Sequence, residues 1–266
     1  MLGKLLGYDI RTQAKSAVPM FVSSAIISVV CCALLYFTLS FTEAEDFFVG
    51  VSFSLGIFAL GILAIAVLCI VSIFMSIGRY YKSLFTDEGY LTMVIPVKTS
   101  TLLKEKIFAS FLSCAASSLV FFASIFVAAV MPVLLFDPSY FSQIFDVAGF
   151  LFNMIGISEN ALGFALQVIY AVANLACAVN ILLTAITVGS TVMTRHKIFG
   201  SIIFFYVIAF VEGLIETVAA IVLVAVSQDV IMAVISTVIR IFIVLAFGAL
   251  MYAVNLYVLK NKFNIE

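Results

Sequence analysis

Six long runs of apolar residues account for most of this chain and decide what it can fold into. They lie at about 17–41, 47–77, 107–136, 161–194, 199–226 and 230–259. Each is at least as long as the roughly 20 apolar residues that one helix needs to cross a bilayer. Only 10% of the 266 residues are charged, against about 25% in a soluble domain. The sequence therefore predicts an all-α polytopic membrane protein with six transmembrane helices, forming a single domain over 1–266.

The charge content and the motifs exclude several classes of function. With 13 Lys and Arg and 14 Asp and Glu, the formal net charge is −1, so the chain has no field that attracts a polyanion. The sequence contains no GxxxxGK[ST] phosphate loop and no Ser-His-Asp set or metal-ligand cluster outside the apolar runs. We expect no catalytic residue, cofactor site or metal site in this chain. Membrane lipid is an expected partner and nucleic acid is not.

The charges between the runs predict an orientation. If the N-terminus is cytoplasmic, the segments on that side contain 12 of the 13 Lys and Arg, and the opposite loops contain none. Cytoplasmic segments are enriched in Lys and Arg, so both termini are predicted to be cytoplasmic in a multi-pass protein of the cell membrane. Residues 1–16 predict an amphipathic helix at the membrane surface. Residues 137–160 predict an external loop.

The segment 78–106, GRYYKSLFTDEGYLTMVIPVKTSTLLKEK, contains the densest mixture of charged, aromatic and turn residues in the chain. The orientation above makes it cytoplasmic. A short amphipathic helix in this segment would display Tyr80, Tyr81, Leu84 and Phe85 to a cytoplasmic partner. The alternative is an interfacial loop whose aromatic side chains lie among lipid headgroups.

The sequence resembles the membrane subunits of ABC-2-type exporters, particularly the small permeases of Gram-positive bacteria. The resemblance rests on MLGKLLGYDIR at the N-terminus, on RYYKSLFTDEGYL from Arg79 to Leu91, and on MVIPV around Pro96 before Lys104 or Lys106. It implies the ABC-2-type exporter fold, with 78–106 as a cytoplasmic coupling loop. It also implies a separate cytoplasmic ABC ATPase subunit, which would bind ATP and Mg²⁺, and a dimer with a second permease subunit, either identical or similar.

The resemblance also implies roles for individual residues. The ATPase-coupling residues on this basis are Arg79, Tyr80, Tyr81, Lys82, Phe85, Asp87, Glu88, Gly89 and Pro96. The aromatic and acidic residues would dock in a groove of the ATPase, and the glycine and proline would shape the loop. The implied function is the permease subunit of an ATP-driven exporter. Its expected substrate is amphipathic or hydrophobic, such as a peptide or another antimicrobial compound.

Three charged residues lie inside the apolar runs. Glu212 and Glu216 are four residues apart in the fifth run and so share one helix face, while Arg240 lies in the sixth. If the chain turns near Gln228, Glu216 and Arg240 both lie about 18 Å below the turn. An unpaired charge there costs a few kcal/mol, so these two residues are predicted to pair. The pair is either a structural staple or part of a substrate path in which Glu212 meets a cationic or amphipathic substrate.

Two other functions fit the same residues. The first is an ion- or proton-coupled secondary carrier that uses Glu212, Glu216 and Arg240 and needs no ATPase. The second is a non-transporting membrane subunit for immunity or sensing. A neighbouring gene for an ATPase would favour the exporter, and transport insensitive to ATP would favour the carrier.

On the fourth run, Asn174, Asn180 and Gln167 are predicted to make interhelical hydrogen bonds.

Overall fold

Six α-helices make up nearly all of the chain that the computed structural model describes, namely residues 2–40, 47–86, 98–136, 161–193, 195–226 and 230–261. They are α1 (Leu2–Ser40), α2 (Phe47–Phe85), α3 (Thr99–Phe136), α4 (Ala161–Val192), α5 (Lys197–Val226) and α6 (Val230–Asn261). Each is long and apolar enough to cross a membrane, and these described ranges contain no β-strand. The prediction of an all-helical chain with six long apolar helices is confirmed.

Three helices extend past their predicted limits by more than two residues. Residues 1–16 were predicted as a separate interfacial helix, but α1 runs without a break from Leu2 to Ser40. The second helix continues to Phe85 instead of ending at 77, and α3 begins at Thr99 instead of 107. Lys, Arg and Glu are good helix formers, so a change from apolar to charged side chains does not end a helix. Helix therefore occupies both sides of the predicted 78–106 loop, and 87–97 lie outside the described residues, as does the predicted external loop at 137–160.

Several hydroxyl side chains inside the apolar helices form hydrogen bonds with the backbone of their own helix. Ser24 and Ser28 each donate to the carbonyl oxygen three residues earlier, at 2.9 and 2.8 Å. Thr184 donates to the Asn180 carbonyl oxygen at 2.7 Å. Such bonds matter in hydrocarbon, where no water is present to pair a free hydroxyl.

The outer faces of these helices are strongly apolar. Large side chains such as Phe74, Leu119, Phe210 and Ile221 are each about two-thirds exposed. A contiguous apolar surface of this kind would make a water-soluble protein aggregate. It is the surface expected of helices that face lipid.

The chain divides into two compact units. The larger consists of Met1–Asp9, Ile77–Phe111 and Leu151–Glu266, and the smaller of Ile10–Ser76 and Leu112–Phe150. In the larger unit α4 packs against both α5 and α6. Half of the most apolar stretch of α4 is buried, against 6% for α5, so α4 is the central helix of this unit. We call the end of the larger unit where α5 begins its proximal end, and the end where α5 stops and α6 begins its distal end.

Within the smaller unit, paired serines join α2 to α3. The hydroxyls of Ser72 and Ser117 are 2.8 Å apart, and those of Ser76 and Ser113 are 2.7 Å apart. The two pairs lie one helical turn apart on each helix. Small residues let helix backbones approach closely, and hydrogen bonds between them hold helices together where no hydrophobic force distinguishes protein from lipid.

Candidate functional site

A polar cluster formed by Tyr170, Glu216 and Arg240 joins three apolar helices of the larger unit. The Tyr170 hydroxyl donates to Glu216 Oε1 at 2.8 Å, and Arg240 Nη2 donates to the same hydroxyl at 2.7 Å. The Arg240 guanidinium also lies over the Tyr170 ring, 4.5 Å from its centre. The phenol therefore accepts from the cation and donates to the anion, so a continuous chain of hydrogen bonds connects α6, α4 and α5.

The three residues of this cluster lie at one depth. Tyr170 is nine residues from the start of α4, Glu216 ten residues from the end of α5, and Arg240 ten residues from the start of α6. At 1.5 Å per residue, each is about 14 or 15 Å from the distal end. The prediction that Glu216 and Arg240 share a depth agrees with the helix bounds.

The predicted contact between Glu216 and Arg240 needs a correction. The salt bridges between described residues do not include this pair; Tyr170 is inserted between the two side chains instead. The physical reason lies in α4, which packs against both of the other helices. A phenol can serve as donor and acceptor at once, so it connects two charges that the helix separation keeps apart.

Glu212 lies one turn from Glu216 towards the proximal end, outside this hydrogen-bond chain. Its Oε1 atom is buried and has no hydrogen-bond partner among the described residues. The Cys177 thiol lies within hydrogen-bonding reach of the carboxyl group. Arg240 balances the charge of Glu216, so Glu212 is the excess acid of the region. Within the described residues, no group of three or more His, Cys, Asp or Glu is placed to hold a metal ion.

Removing the cation from this cluster should be costly. We expect Arg240→Ala to destabilise the fold by about 1–3 kcal/mol, because Glu216 is then left charged in a site of low polarity. Adding Glu216→Gln should recover part of the loss. The matched control is Arg240→Ala with Glu212→Gln, which removes an acid one turn away that is not bonded to Tyr170. Thermal unfolding in detergent measures all of these. Equal recovery by the two double variants would contradict the arrangement.

A second buried polar group lies near the proximal end and involves Tyr80, one of the predicted coupling residues. Tyr80 is 1% exposed. Its hydroxyl is 2.9 Å from the hydroxyl of Thr187 on α4 and donates to Asn255 Oδ1 on α6 at 3.5 Å. Leu84, one turn later, is 2% exposed. The prediction that Tyr80 and Leu84 are displayed to a partner is wrong for this chain: both are buried, and Tyr80 anchors the end of α2 to α4 and α6.

The remaining described coupling residues lie on other sides of the same helix end. Tyr81 and Phe85 are half-buried, and their rings stack with centres 5.9 Å apart and planes inclined by 22°. Lys82 is exposed and Arg79 is half-buried. Tyr81 and Phe85 therefore form an accessible aromatic pair next to the segment that follows. Asp87, Glu88, Gly89 and Pro96 lie outside the described residues.

The start of α3 is fixed in the larger unit as well. The Lys106 ammonium donates to Asp9, which belongs to the first turns of α1. Leu102 and Leu103, one turn earlier, are buried. Both helix ends that border 87–97 are thus anchored to other helices of the unit.

Sequence reasoning missed Tyr170, Thr187 and Asn255. All three lie in apolar helices where a single hydroxyl or amide has many possible orientations. For Tyr170 a signal existed, since counting residues from the helix end places it level with Glu216 and Arg240. Of the three amides predicted to bond between helices, Asn180 does so, with Nδ2 donating to the Gly248 carbonyl oxygen at 3.0 Å.

Comparison with known proteins adds no family to these observations: no family model matches the chain, and no curated protein and no solved structure is found to be similar to it.

Proposed function

We propose that this chain is the permease subunit of an ATP-driven exporter of the ABC-2 type. It works as a dimer with an identical or similar subunit and carries a separate cytoplasmic ATPase that binds ATP and Mg²⁺. The cargo is an amphipathic or hydrophobic compound that leaves the cell. The observation that carries the proposal is the Tyr81–Phe85 pair, accessible on a helix end whose opposite side is locked into the larger unit.

A coupling element needs a surface that a partner can bind. It must also pack tightly against the helices that move. The pair of Tyr81 and Phe85 offers the first, since aromatic side chains supply much of the energy of protein interfaces. Tyr80 supplies the second through its bonds to α4 and α6. A force applied at 87–97 therefore reaches the larger unit through both α2 and α3, as in a rigid-body transition driven by a bound nucleotide.

The charges at the proximal end support a cytoplasmic position for the same surface. Exposed cations there come from four separate parts of the chain and include Lys82, Lys98, Lys104, Arg195 and Lys260. Lys and Arg concentrate on the cytoplasmic side of membrane proteins. With the proximal end inside, the pair of Tyr81 and Phe85 faces the compartment that contains the ATPase, and both termini are cytoplasmic.

Removing either ring of the accessible pair should uncouple the complex. We expect Tyr81→Ala and Phe85→Ala to reduce co-purification with the proposed ABC ATPase subunit, because each removes a ring of the surface that the ATPase would contact. The fold should survive, since neither residue is fully buried. The measurements are a pull-down in detergent and stimulation of ATP hydrolysis in liposomes.

The matched control is Tyr206→Ala on α5, which removes an aromatic ring that is 69% exposed but far along the chain from the coupling segment. It should leave association unchanged. Normal binding and stimulation in both Tyr81→Ala and Phe85→Ala would show that this helix end is not the coupling element. Failure of the unmodified chain to associate with the ATPase would contradict the exporter itself.

The excess acid inside the membrane favours a second candidate, an ion- or proton-coupled carrier. Glu212 has a buried oxygen without a partner, and an intramembrane carboxyl of this kind is typical of proton and ion pathways. In liposomes a carrier would move its substrate with an ion gradient and no ATPase, and Glu212→Gln would abolish that movement. Transport that requires the ATPase and ATP would exclude it.

A further inference from the structure

Three charged residues form a nearly closed group where the first turns of α1 meet the first turns of α3 in the larger unit. Lys106 is hydrogen-bonded to Asp9, and its ammonium lies 3.8 Å from Glu105 Oε2. The Glu105 side chain is 2% exposed, and its Oε1 atom is buried without a hydrogen-bond partner among the described residues. Two carboxyl groups therefore share one ammonium, and water barely reaches the Glu105 carboxyl group of the two.

The charge of this group balances only if one carboxyl group is neutral. With both ionised, the site has one negative charge in excess and a buried oxygen with no donor. Burial penalises a charged carboxylate that lacks a partner, and protonation removes the penalty. The Lys106 ammonium is hydrogen-bonded to Asp9 and lies farther from Glu105. The ionised form of Glu105 is therefore stabilised less by this cation than that of Asp9. Among the described side chains, Asp9 and Lys106 are the charged groups that act on it, and Asp9 also lies within hydrogen-bonding reach of the Glu105 carboxyl group.

We propose that Glu105 holds a proton at mildly acid pH and that this proton keeps closed a clasp between α1 and α3, formed by Asp9 and Lys106. Loss of the proton places a second negative charge beside Asp9 and lets Glu105 compete for the ammonium. The first turns of α1 then separate from α3 as the pH rises. The inference does not depend on the proposed exporter function.

The direction of the pH effect follows from where the proton is bound. The unfolded chain releases it above about pH 4.3, the ordinary value for a glutamate carboxyl group. The folded chain keeps it, so folding binds a proton and stability falls as the pH rises through the point where Glu105 ionises. Glu105→Gln resembles the protonated form at every pH and should not show this loss.

Infrared difference spectroscopy on the full chain in liposomes tests the proton directly. The unmodified protein at a mildly acid pH should show the carbonyl band of a protonated carboxylic acid that is absent from Glu105→Gln. Lys104→Gln, which changes the exposed neighbouring residue, should retain that band. Asp9→Asn should lose it, because Lys106 is then free to pair with an ionised Glu105. This last variant keeps the test decisive if Glu105→Gln does not fold.

Hydrogen exchange tests the clasp itself. Peptides from residues 2–16 should exchange several-fold faster in the unmodified protein than in Glu105→Gln at a pH well above neutrality, and at equal rates at a mildly acid pH. Comparing the two proteins at the same pH removes the chemical effect of pH on exchange. An infrared band that persists in both Glu105→Gln and Asp9→Asn would overturn the proposal. So would equal exchange of the two proteins at the high pH.

Discussion

Tyr80→Ala should destabilise the protein by about 3–5 kcal/mol, the range for truncating a large aromatic side chain in a packed core. Tyr80 is among the largest fully buried side chains in the described residues, and its hydroxyl joins three helices. Tyr80→Phe should cost less, about 1–3 kcal/mol, since it keeps the ring but leaves the buried Asn255 Oδ1 without its donor. Thr187 would still donate to the Leu183 carbonyl oxygen at 2.9 Å.

Tyr81→Ala is the control for this prediction because it removes the same side chain from the next position. Tyr81 is half-buried, so its loss should change stability much less. Thermal unfolding in detergent, followed by circular dichroism, compares the three variants. The effects of the two substitutions should thus differ: Tyr80 maintains the fold, whereas Tyr81 would maintain binding to the ATPase under the proposed function. Equal melting of Tyr80→Ala and Tyr81→Ala would show that the end of α2 is not anchored as described.

The difference between these neighbours marks a limit of sequence reasoning. The segment 78–85 was predicted to display all its aromatics to a partner. Successive helix residues point about 100° apart, so neighbouring tyrosines cannot share one environment. Which of them faces the protein depends on where α4 and α6 lie, and no local pattern encodes that. The sequence could therefore predict an aromatic helix end here, but not which ring is accessible.

The six helices could be predicted because few backbone conformations satisfy the peptide hydrogen bonds in hydrocarbon. A long apolar stretch in a membrane must satisfy its own peptide groups and does so as a helix. The ends were predicted less well, since apolar composition marks where lipid stops and not where the helix stops. The first helix shows this: Leu2–Ser40 is one helix although its first four turns are amphipathic.

The two charged residues of the polar cluster could be predicted from the sequence, but the tyrosine that connects them by hydrogen bonds could not. Glu216 and Arg240 are recognisable because charged residues inside apolar runs are rare and need partners. Tyr170 is one of ten tyrosines, and nothing local distinguishes it from a tyrosine that faces lipid. Counting residues from the helix end places it level with Glu216 and Arg240, but its insertion between them follows from the central position of α4, which the amino-acid pattern alone does not specify.

The second large loss of stability is expected where glycine residues of α4 and α5 are in contact. Near the proximal end the two helices approach so closely that a Cβ atom on Gly189 would fall on the backbone of Gly200 and Ser201. On the opposite side, a Cβ atom on Gly200 would lie 2.9 Å from the Gly189 carbonyl oxygen. The obstacles are main-chain atoms, which cannot rotate away as a side chain can. Gly189→Ala therefore requires the helices to move apart, and we expect a loss of about 1–3 kcal/mol or more.

Gly213→Ala provides the opposite result from the same chemical change. Gly213 lies in the middle of α5, and a Cβ atom there meets nothing within 4 Å. In a helix interior alanine is more favourable than glycine by roughly 0.5–1 kcal/mol, so this variant should be as stable as the unmodified protein or slightly more stable. Thermal unfolding and folded yield in detergent measure both. If Gly189→Ala matches Gly213→Ala, α4 and α5 do not meet through their backbones, and the close hairpin is wrong. If only Gly189→Ala unfolds at a lower temperature, the loss of stability comes from the increased separation of α4 and α5, since helix propensity alone favours alanine at both sites.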